Sequence, residues 1–305
     1  MKIVITGGLG FVGKNFALYM RKIGAQHELH SVDWFADAPQ ADHDLFTSST
    51  IADFASDEAK PVFEGADVVV HLAAATTVQE SIQDPYRSFN NNVIKTQALL
   101  DHLRDVAPNA HFVFASTGGA IIGEHDGAIN ESIPARPVSP YGATKLAVEG
   151  LLSAYTGSFG MPTAAMRFSN VYGPNSERKT SVVAVFCKNY MQTGRLQING
   201  DGLQTRDYIY IDDICQALWK TIEKRATGPF QLGTGVGTSI LELVEILKAV
   251  DPAKELEIVH APDLQGEVKH NVCDITRART VLGFEPEYDL KRGVDETLAW
   301  FKRTL

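Results

Sequence analysis

The glycine-rich segment after the first apolar run limits the possible folds of this chain more than any other feature. Residues 2–6 (KIVIT) predict a buried strand, and the next residues, TGGLGFVG, place glycines at positions 7, 10 and 13. Glycine suits a strand that ends in a tight turn and leads into a helix, because it adopts the backbone angles of the turn and allows close backbone approach. The amide groups at the start of that helix then face an anion. The segment therefore predicts a turn that binds a pyrophosphate.

An acidic residue at the end of the second predicted strand indicates which dinucleotide this turn binds. Residues 28–33 (ELHSVD) predict the strand, and Asp33 lies 20 residues after Gly13. A carboxylate at this place accepts hydrogen bonds from both ribose hydroxyls and repels a 2′-phosphate. The sequence therefore favours NAD over NADP as the cofactor. The alternative is a plain strand, turn and helix that bind no ligand.

The order of apolar runs and helical periods predicts an α/β fold. The predicted strands span 2–6, 28–33, 67–72, 111–116, 162–168 and 206–211, and the predicted helices span 10–23, 90–105, 141–159, 181–192, 212–224, 238–250 and 294–303. Parallel strands need crossover connections, so we expect a Rossmann-type doubly wound parallel sheet covered on both faces. This NAD-binding domain would comprise residues 1–168, with 207–235 returning to it. Residues 169–206 and 236–305 would form a smaller, interleaved C-terminal α/β lobe.

Composition and charge exclude several functional classes. The chain has 305 residues, of which 44% are hydrophobic, and its formal net charge is −9. Such an acidic chain argues against a dedicated nucleic-acid-binding protein, which needs basic surface for phosphates. The three cysteines, Cys187, Cys215 and Cys273, lie far apart and form no metal-binding or disulfide pattern. No targeting segment or membrane span is apparent, so we expect a cytoplasmic protein without a metal or membrane partner.

A tyrosine and a lysine in the segment YGATK suggest acid–base chemistry. Tyr141 and Lys145 are four residues apart, so the predicted helix places them on one face. A nearby ammonium, together with a cationic nicotinamide, lowers the pKa of a tyrosine and lets it act as a general base. Ser116 and Thr117, at the end of a predicted strand, would supply a hydroxyl to the reacting oxygen. The alternative is an ordinary pair of surface residues on a helix.

Several segments occur together in a characteristic order. They are TGGLGFVG, HLAA, Asn92-Val93, Ser116-Thr117, YGATK, RFSNVYGP and RDYIYIDD. Together they resemble the extended short-chain dehydrogenase/reductase family, within it the NAD-dependent nucleotide-sugar epimerase/dehydratase branch. The resemblance extends over almost the whole chain.

The resemblance implies a role for individual residues. For the cofactor NAD it implies Gly7, Gly10, Phe11 and Val12 at the pyrophosphate, Asp33 and Trp34 at the adenosine ribose, Asp44 and Leu45 at the adenine edge, Leu72, Ala73, Ala74, Thr76, Asn92 and Ser116 along the cofactor, and Tyr141 and Lys145 at the nicotinamide end. The implied catalytic residues are Thr117, Tyr141 and Lys145. The implied contacts with a nucleotide-diphosphate sugar, most simply a UDP-sugar, are Thr117, Asn170, Arg206, Glu267 and Asn271. Arg206 next to Asp207 has the alternative of an exposed ion pair.

The same resemblance favours one reaction within the branch. Dehydratases carry an Asp-Glu pair directly after the Ser/Thr position, whereas this chain has Gly118-Gly119. We therefore expect a 4-epimerase of a UDP-hexose or UDP-N-acetylhexosamine, in which transient oxidation of C4 and its reduction from the other face use Tyr141 as the base. A small residue, Asn271, at the position that limits sugar bulk would leave room for an N-acetyl group. The alternatives are a dehydratase or another NAD-dependent sugar-modifying enzyme, and a non-catalytic NAD-binding regulatory protein.

One departure from the family pattern concerns the diphosphate. Leu264 occupies the place of the usual diphosphate-binding arginine, which leaves Arg206 as the main predicted phosphate cation. The helices at 90–105 and 141–159 resemble those that pair across a dimer in this family, so we also expect a homodimer.

Overall fold

The structure is a computed structural model that describes residues 1–252, 255–263 and 268–304, and the strands of these residues form one large sheet and two small ones. In chain order the strands are β1 (Lys2–Thr6), β2 (Glu28–Asp33), β3 (Ser48–Ile51), β4 (Val68–His71), β5 (His111–Thr117), β6 (Thr163–Phe168), β7 (Asn170–Tyr172), β8 (Arg195–Asn199), β9 (Thr205–Tyr210), β10 (Gly228–Leu232), β11 (Gly237–Ser239), β12 (Glu257–Ala261) and β13 (His270–Asn271).

Helices connect these strands. They are α1 (Phe11–Lys22), α2 (Gln40–His43), α3 (Lys60–Phe63), α4 (Val78–Gln83), α5 (Pro85–Phe89), α6 (Lys95–Val106), α7 (Gly119–Ile122), α8 (Pro140–Phe159), α9 (Val182–Gln192), α10 (Ile211–Glu223), α11 (Ile240–Val250) and α12 (Leu290–Thr304), with π-helical segments at Asn90–Ile94 and Ala278–Leu282. No helix in the described ranges combines the length and apolar character of a membrane span.

The large sheet has the order β10-β6-β5-β4-β1-β2-β3, and its neighbouring strands are all parallel. The chain proceeds from β1 outward to β3, then crosses to β4 and continues on the other side. At this reversal, connections from β1 and β4 lead to opposite faces and leave a crevice at the carboxyl ends of the strands. Ligands of open α/β sheets bind in such a crevice. The predicted doubly wound fold is confirmed.

Apolar side chains cover both faces of the large sheet. β4 is buried at every residue, with Val68 and Val70 in the cluster on one face and Val69 in the cluster on the other. Residues of α1 and α10 belong to the first cluster, and residues of α6 and α8 belong to the second. This two-sided burial explains why the central strands are continuous apolar runs.

The smaller sheets involve the chain beyond β6. β9 pairs with β7, β11 and β13, while β8 pairs with β12. Because β9 lies in a small sheet, the expected domain boundary at residue 207 falls inside a strand. The chain returns to the large sheet through α10, which packs on α1, and through β10, which pairs with β6.

Most predicted elements are confirmed within two residues, but some strands were missed. The last helix begins at Leu290, four residues earlier than predicted. β3 has the polar sequence SSTI and no buried residue, because it lies at the edge of the sheet. It therefore lacks the apolar run that identifies β1 or β4. β7, β8, β10, β11, β12 and β13 were also absent from the prediction.

A buried histidine joins β1, β4 and α6. His71 Nδ1 lies 2.7 Å from Thr6 Oγ1, and its Nε2 lies 2.9 Å from Thr96 Oγ1. Phe54, Phe112 and Phe114 pack around the ring. Burial, with a smaller contribution from Lys145, lowers the pKa of His71 to about 3. The ring is therefore neutral in the folded protein at physiological pH.

This burial predicts a pH-dependent stability. The folded-state pKa lies below the ordinary value of 6.5, so the contribution of neutral His71 is complete above about pH 6.5 and is lost as the pH falls toward 3. We expect the free energy of unfolding to decline by about 1.4 kcal/mol per pH unit for this group. His71→Gln, which keeps a donor and an acceptor, should flatten the decline between about pH 6.5 and 5 in denaturant titrations.

The exposed His270 of β13 provides the control, because His270→Gln should leave the decline unchanged. His111, whose pKa burial lowers to about 4, contributes a second decline that persists in each variant. An equal pH dependence for the wild type and His71→Gln would contradict the assignment.

Candidate active site

A cleft of about 750 Å³ lies at the carboxyl ends of β1, β2, β4 and β5, within the usual size range of ligand pockets. The sequence-predicted site residues that line it are Gly7, Gly10, Phe11, Val12, Asp33, Trp34, Leu72, Ala73, Ala74, Thr76, Ser116, Thr117, Tyr141, Lys145 and Asn170. Their convergence follows from the topology, because parallel strands end at the same edge of the sheet.

The turn between β1 and α1 requires glycine for steric reasons. Gly7 has φ +72°, and a Cβ on it would lie 2.9 Å from the backbone N of Ala73. A Cβ on Gly13 would lie 2.5 Å from the carbonyl oxygen of Gly8. α1 begins at Phe11, and its first residues line the cleft. The turn and the helix N-terminus together form the cradle that a dinucleotide pyrophosphate needs.

Asp33 is held at the end of β2 by backbone amides. Its carboxylate accepts hydrogen bonds from the amides of Leu9 at 2.9 Å, Trp34 at 2.8 Å and Phe35 at 3.2 Å. Burial raises the pKa of Asp33 above its ordinary value, and these three amides oppose that shift. The carboxylate is therefore fixed in position beside the glycine turn, where it lines the cleft.

The predicted adenine-edge pair lies outside the cleft lining. Asp44 is exposed and Leu45 packs on the core, and neither is among the residues that line the cleft. They precede β3, whereas Asp53 and Phe54 follow its carboxyl end and do line the cleft. The sequence analysis did not identify β3, and so it did not single out the two residues that follow its carboxyl end.

Asn92 also lies outside the cleft lining, and its side chain is buried. It accepts a hydrogen bond from the Ala75 amide at 2.8 Å and donates to the Ala75 carbonyl at 2.9 Å and to Thr144 Oγ1 at 3.1 Å. The neighbouring Asn91 lines the cleft instead. Asn92 thus joins the loop after β4 to α8 and positions the site.

Tyr141, Lys145 and Thr117 all line the cleft. α8 starts at Pro140, where the Ser139 side chain accepts a hydrogen bond from the Gly142 amide. The Lys145 ammonium donates to the Ala115 carbonyl at 2.8 Å and lies 5.9 Å from the centre of the Tyr141 ring. The predicted placement of this pair on one helix face is therefore confirmed.

The electrostatics of the pair differ from the sequence expectation. Burial raises the pKa of Tyr141, and the nearby Lys145 ammonium does not by itself reverse this rise. Burial also lowers the pKa of Lys145 to about 7, while Glu149 opposes this shift and Lys179 adds to it. A phenolate would need the additional positive charge that an oxidised nicotinamide brings when NAD is bound.

Sequence reasoning missed a buried ion pair behind these residues. Arg167 donates to both carboxylate oxygens of Glu149, with 2.7 Å between Nη2 and Oε2. Ser116 Oγ donates to the same carboxylate at 2.6 Å. Glu149 lies four residues after Lys145 on α8, which was the available signal for a coupled charge. Ser116 is therefore engaged with Glu149, and Thr117 is the hydroxyl that remains at the cleft.

Not all of the residues predicted to bind the substrate line the cleft. Asn170 lines the cleft, and its side chain donates to the Asp207 carbonyl at 3.3 Å. The Arg206 guanidinium donates to the carbonyls of Thr205 and Lys269 and is not among the residues lining the cleft. Asn271, 8% exposed, also lies outside the cleft lining. Glu267 and Leu264 lie outside the described residues.

Comparison with known proteins identifies the family. A model of the NAD dependent epimerase/dehydratase family matches residues 3–233. The chain belongs to this family. The UDP-glucose 4-epimerase of Mycolicibacterium smegmatis is 31% identical, with 99% of each chain covered. Among solved structures, the UDP-glucose 4-epimerase of Thermotoga maritima with UDP-glucose has a TM-score of 0.92 and 30% identity, covering 100% of this chain and 99% of the other.

A second solved structure contains the cofactor. A tyrosine-to-phenylalanine variant of the UDP-glucuronic acid 4-epimerase of Bacillus cereus, in complex with UDP-4-deoxy-4-fluoro-glucuronic acid and NAD, has a TM-score of 0.92 and 29% identity over 100% of both chains. The predicted family, its enzymatic character and NAD as the cofactor are confirmed. The contacts of individual residues with ligands stay predictions.

The Glu149 ion pair predicts a measurable change at Lys145. Glu149→Gln removes the negative charge that raises the pKa of Lys145, so this pKa should fall from about 7 to a lower value. The pH dependence of Lys145 acylation, followed by mass spectrometry, measures the change. Arg167 loses its charged partner in this variant, and we expect destabilisation of about 3 kcal/mol or more in unfolding titrations.

Glu245→Gln is the matched control, since Glu245 pairs with Lys248 on the exposed side of α11. It should change neither the acylation profile nor the unfolding midpoint appreciably. An unchanged profile for Lys145 in a folded Glu149→Gln protein would show that Glu149 is only structural.

Proposed function

We propose that the protein is an NAD-dependent nucleotide-sugar 4-epimerase acting on a UDP-hexose or a UDP-N-acetylhexosamine. The observation that carries this proposal is that Tyr141, Lys145 and Thr117 all line the cleft, and that Thr117 is followed by two glycines whose surroundings are occupied by other side chains. A Cβ on Gly118 would lie 2.4 Å from Gln231 Oε1, and one on Gly119 would lie 2.2 Å from Asn271 Nδ2.

The filled space around the two glycines argues against dehydration. Elimination of water from a sugar needs a positioned acid and base, and the family's dehydratases carry them at these two positions. Gln231 and Asn271 are themselves buried here, so they have little freedom to move aside for an Asp-Glu pair. Epimerisation at C4 needs no such pair.

The chain's own residues perform the proton chemistry in this proposal. Bound NAD supplies an acceptor for the C4 hydride and a donor for its return. Tyr141 removes the proton from the C4 hydroxyl and later gives it back, while Thr117 donates a hydrogen bond to the same oxygen. Lys145, fixed by the Ala115 carbonyl, brings positive charge next to the phenol and stabilises its ionised form.

The residues beyond β6 are proposed to bind the nucleotide sugar. Asn170 lines the cleft directly after β6, and the small sheet that includes β9 follows it. We assign residues 169–206 and 236–305 to this lobe and 1–168 with 207–235 to the NAD domain, as expected from sequence. Arg206, Glu267 and Asn271 remain candidates for contacts with the nucleotide or sugar.

Replacement of the proposed base tests the reaction. Tyr141→Phe removes the phenolic proton carrier and keeps the ring, so turnover should fall by about 100-fold or more while NAD and UDP binding persist. The assay incubates each protein with UDP-glucose, UDP-galactose, UDP-glucuronic acid and UDP-N-acetylglucosamine and separates products by chromatography. The wild type should interconvert at least one C4-epimer pair without added NAD.

Two other results would contradict the proposal. A 4-keto-6-deoxy product, recognised by its alkaline absorbance, would identify a dehydratase. Binding of NAD and UDP with no conversion of any sugar by wild type or variant would favour a non-catalytic regulatory protein. Tyr155→Phe serves as the control, because Tyr155 lies on the same helix but bonds to Asp101 away from the cleft.

We also propose that the protein forms a homodimer through α6, α8 and the segment before α6. Ile94 is 49% exposed, Phe89 is 44% exposed and Phe159 is 51% exposed. A Cβ on Gly150 or Gly157 of α8 would have no neighbour within 4 Å, so a second helix could approach closely there. The apolar side chains and the small residues suit a helix-to-helix interface.

Sedimentation analysis tests this interface. Ile94→Glu would bury a charge at the interface, and we expect it to shift the protein from dimer to monomer. Leu203→Glu changes an exposed leucine elsewhere (60% exposed) and should leave a dimer. A monomeric wild type, or a dimer that resists Ile94→Glu, would contradict the proposal.

A further inference from the structure

A segment between β7 and α9, residues 173–181, is fixed along the cleft and is called the strap here. The Asn15 side chain donates to the Pro174 carbonyl at 3.0 Å and accepts from Asn175 at 3.0 Å. Asn175 adopts φ 62°, which asparagine tolerates better than most residues. The Lys14 ammonium lies 3.2 Å from the Glu177 carboxylate. These contacts tie the strap to α1 beside the glycine turn.

The charges of the strap are paired at two positions but not at the third. Glu177 pairs with Lys14, and Arg178 pairs with Asp37 at 3.3 Å. The Lys179 ammonium lines the cleft and has no hydrogen-bond or ion-pair partner among the residues that the structure describes. It lies 5.9 Å from the centre of the Phe11 ring, at the start of α1.

The surroundings of Lys179 are unfavourable for a lone positive charge. Burial lowers its pKa below the ordinary value, and its charge in turn lowers the pKa of Lys145. The nearest carboxylate of the strap, Glu177, is already bound to Lys14. A buried ammonium without a partner is costly unless a ligand brings negative charge.

The other cations that line the cleft are engaged. Lys14 pairs with Asp42 and Glu177, and Lys95 pairs with Asp53 at 2.5 Å. Arg178 pairs with Asp37, and Lys145 bonds to a carbonyl. Arg206 lies outside the cleft lining, and position 264 is leucine instead of the family's arginine. Within the described part of the cleft, Lys179 is thus the cation available for an anion.

We propose that Lys179 is a diphosphate-binding residue whose ammonium, held by the strap, neutralises a diphosphate in the cleft. Two ligands carry this group, the nucleotide sugar and NAD itself. The inference deepens the proposed function and rests on it for the identity of the sugar ligand. It assigns to the strap the role that the sequence had left to Arg206.

The chemistry of the strap supports this role. A diphosphate carries two negative charges, and a fixed ammonium binds it with little further loss of side-chain freedom. Neutralisation of Lys179 by the ligand would also relieve its repulsion of Lys145. The glycine turn and the start of α1 offer backbone amides on the same side, so cation and amides act on one anion.

Binding measurements separate the two sources of the diphosphate. Lys179→Met keeps the length of the side chain and removes its charge, while Lys179→Arg keeps the charge. We expect Lys179→Met to weaken the binding of one ligand by about 10- to 100-fold, and Lys179→Arg to weaken the binding of that ligand by less. One arm titrates UDP by calorimetry, and the other measures NAD content after purification and NAD affinity after its removal.

Each outcome decides a specific point. If only UDP binding weakens, Lys179 binds the diphosphate of the nucleotide sugar. If only NAD binding weakens, Lys179 binds the diphosphate of the cofactor. Unchanged binding of both ligands to folded Lys179→Met overturns the inference. Lys188→Met, a charge removal on α9 at a residue not among those lining the cleft, should match the wild type in both arms.

Two further readouts guard against a structural effect and against failure of the proposed function. Lys179→Met should not lower the thermal stability of the protein without ligand, because the lysine makes no ion pair with the described residues and its unpaired charge is costly. Binding of the affected ligand should weaken with added salt less steeply in Lys179→Met than in the wild type. Both arms measure binding alone, so they remain readable if no sugar is epimerised, whereas absent UDP binding would contradict the proposed function itself.

Discussion

The close backbone approach of the glycine turn to the loop after β4 is the constraint on which the rest of the site depends. Gly7 lies so near Ala73 that a single methyl group would collide with the backbone. This contact fixes where α1 begins and where the β4 loop passes. Asp33, Leu72 and Thr76 then reach the same cleft. The cofactor end of the site is therefore a product of backbone packing more than of side-chain chemistry.

The part of the cleft lined by Tyr141 and Lys145 depends on charge balance inside a largely buried region. Lys145 donates a hydrogen bond to the Ala115 carbonyl. The Glu149 carboxylate raises the pKa of Lys145, and the Lys179 ammonium lowers it. Arg167 in turn holds that carboxylate, Glu149. The pKa of Lys145, which lines the cleft, thus depends partly on Glu149, which does not. In an acidic chain, this arrangement concentrates positive charge locally without requiring a basic surface.

Elements with strong local signals were predictable from the sequence, and those defined by tertiary contacts were not. The apolar run of β1, the glycines and the Tyr141–Lys145 spacing each specify their own structure. The polar edge strand β3 lacks such a signal, and without it Asp53, which lines the cleft after β3, was not singled out. The buried position of Asn92 depends on Ala75 and Thr144, and the pairing of Glu177 with Lys14 instead of Lys179 depends on α1, far away in sequence. No local pattern could reveal them.

The filled space above Gly118 and Gly119 has an evolutionary consequence. A change from glycine to aspartate or glutamate at either position would collide with Gln231 or Asn271, which belong to two distant segments of the chain. Acquisition of an acid–base pair would therefore require these two buried side chains to shift or to be replaced, which couples the glycine positions to positions 231 and 271. Such coupling between positions, or epistasis, makes a change from one reaction to another within the same fold harder to reach by single substitutions.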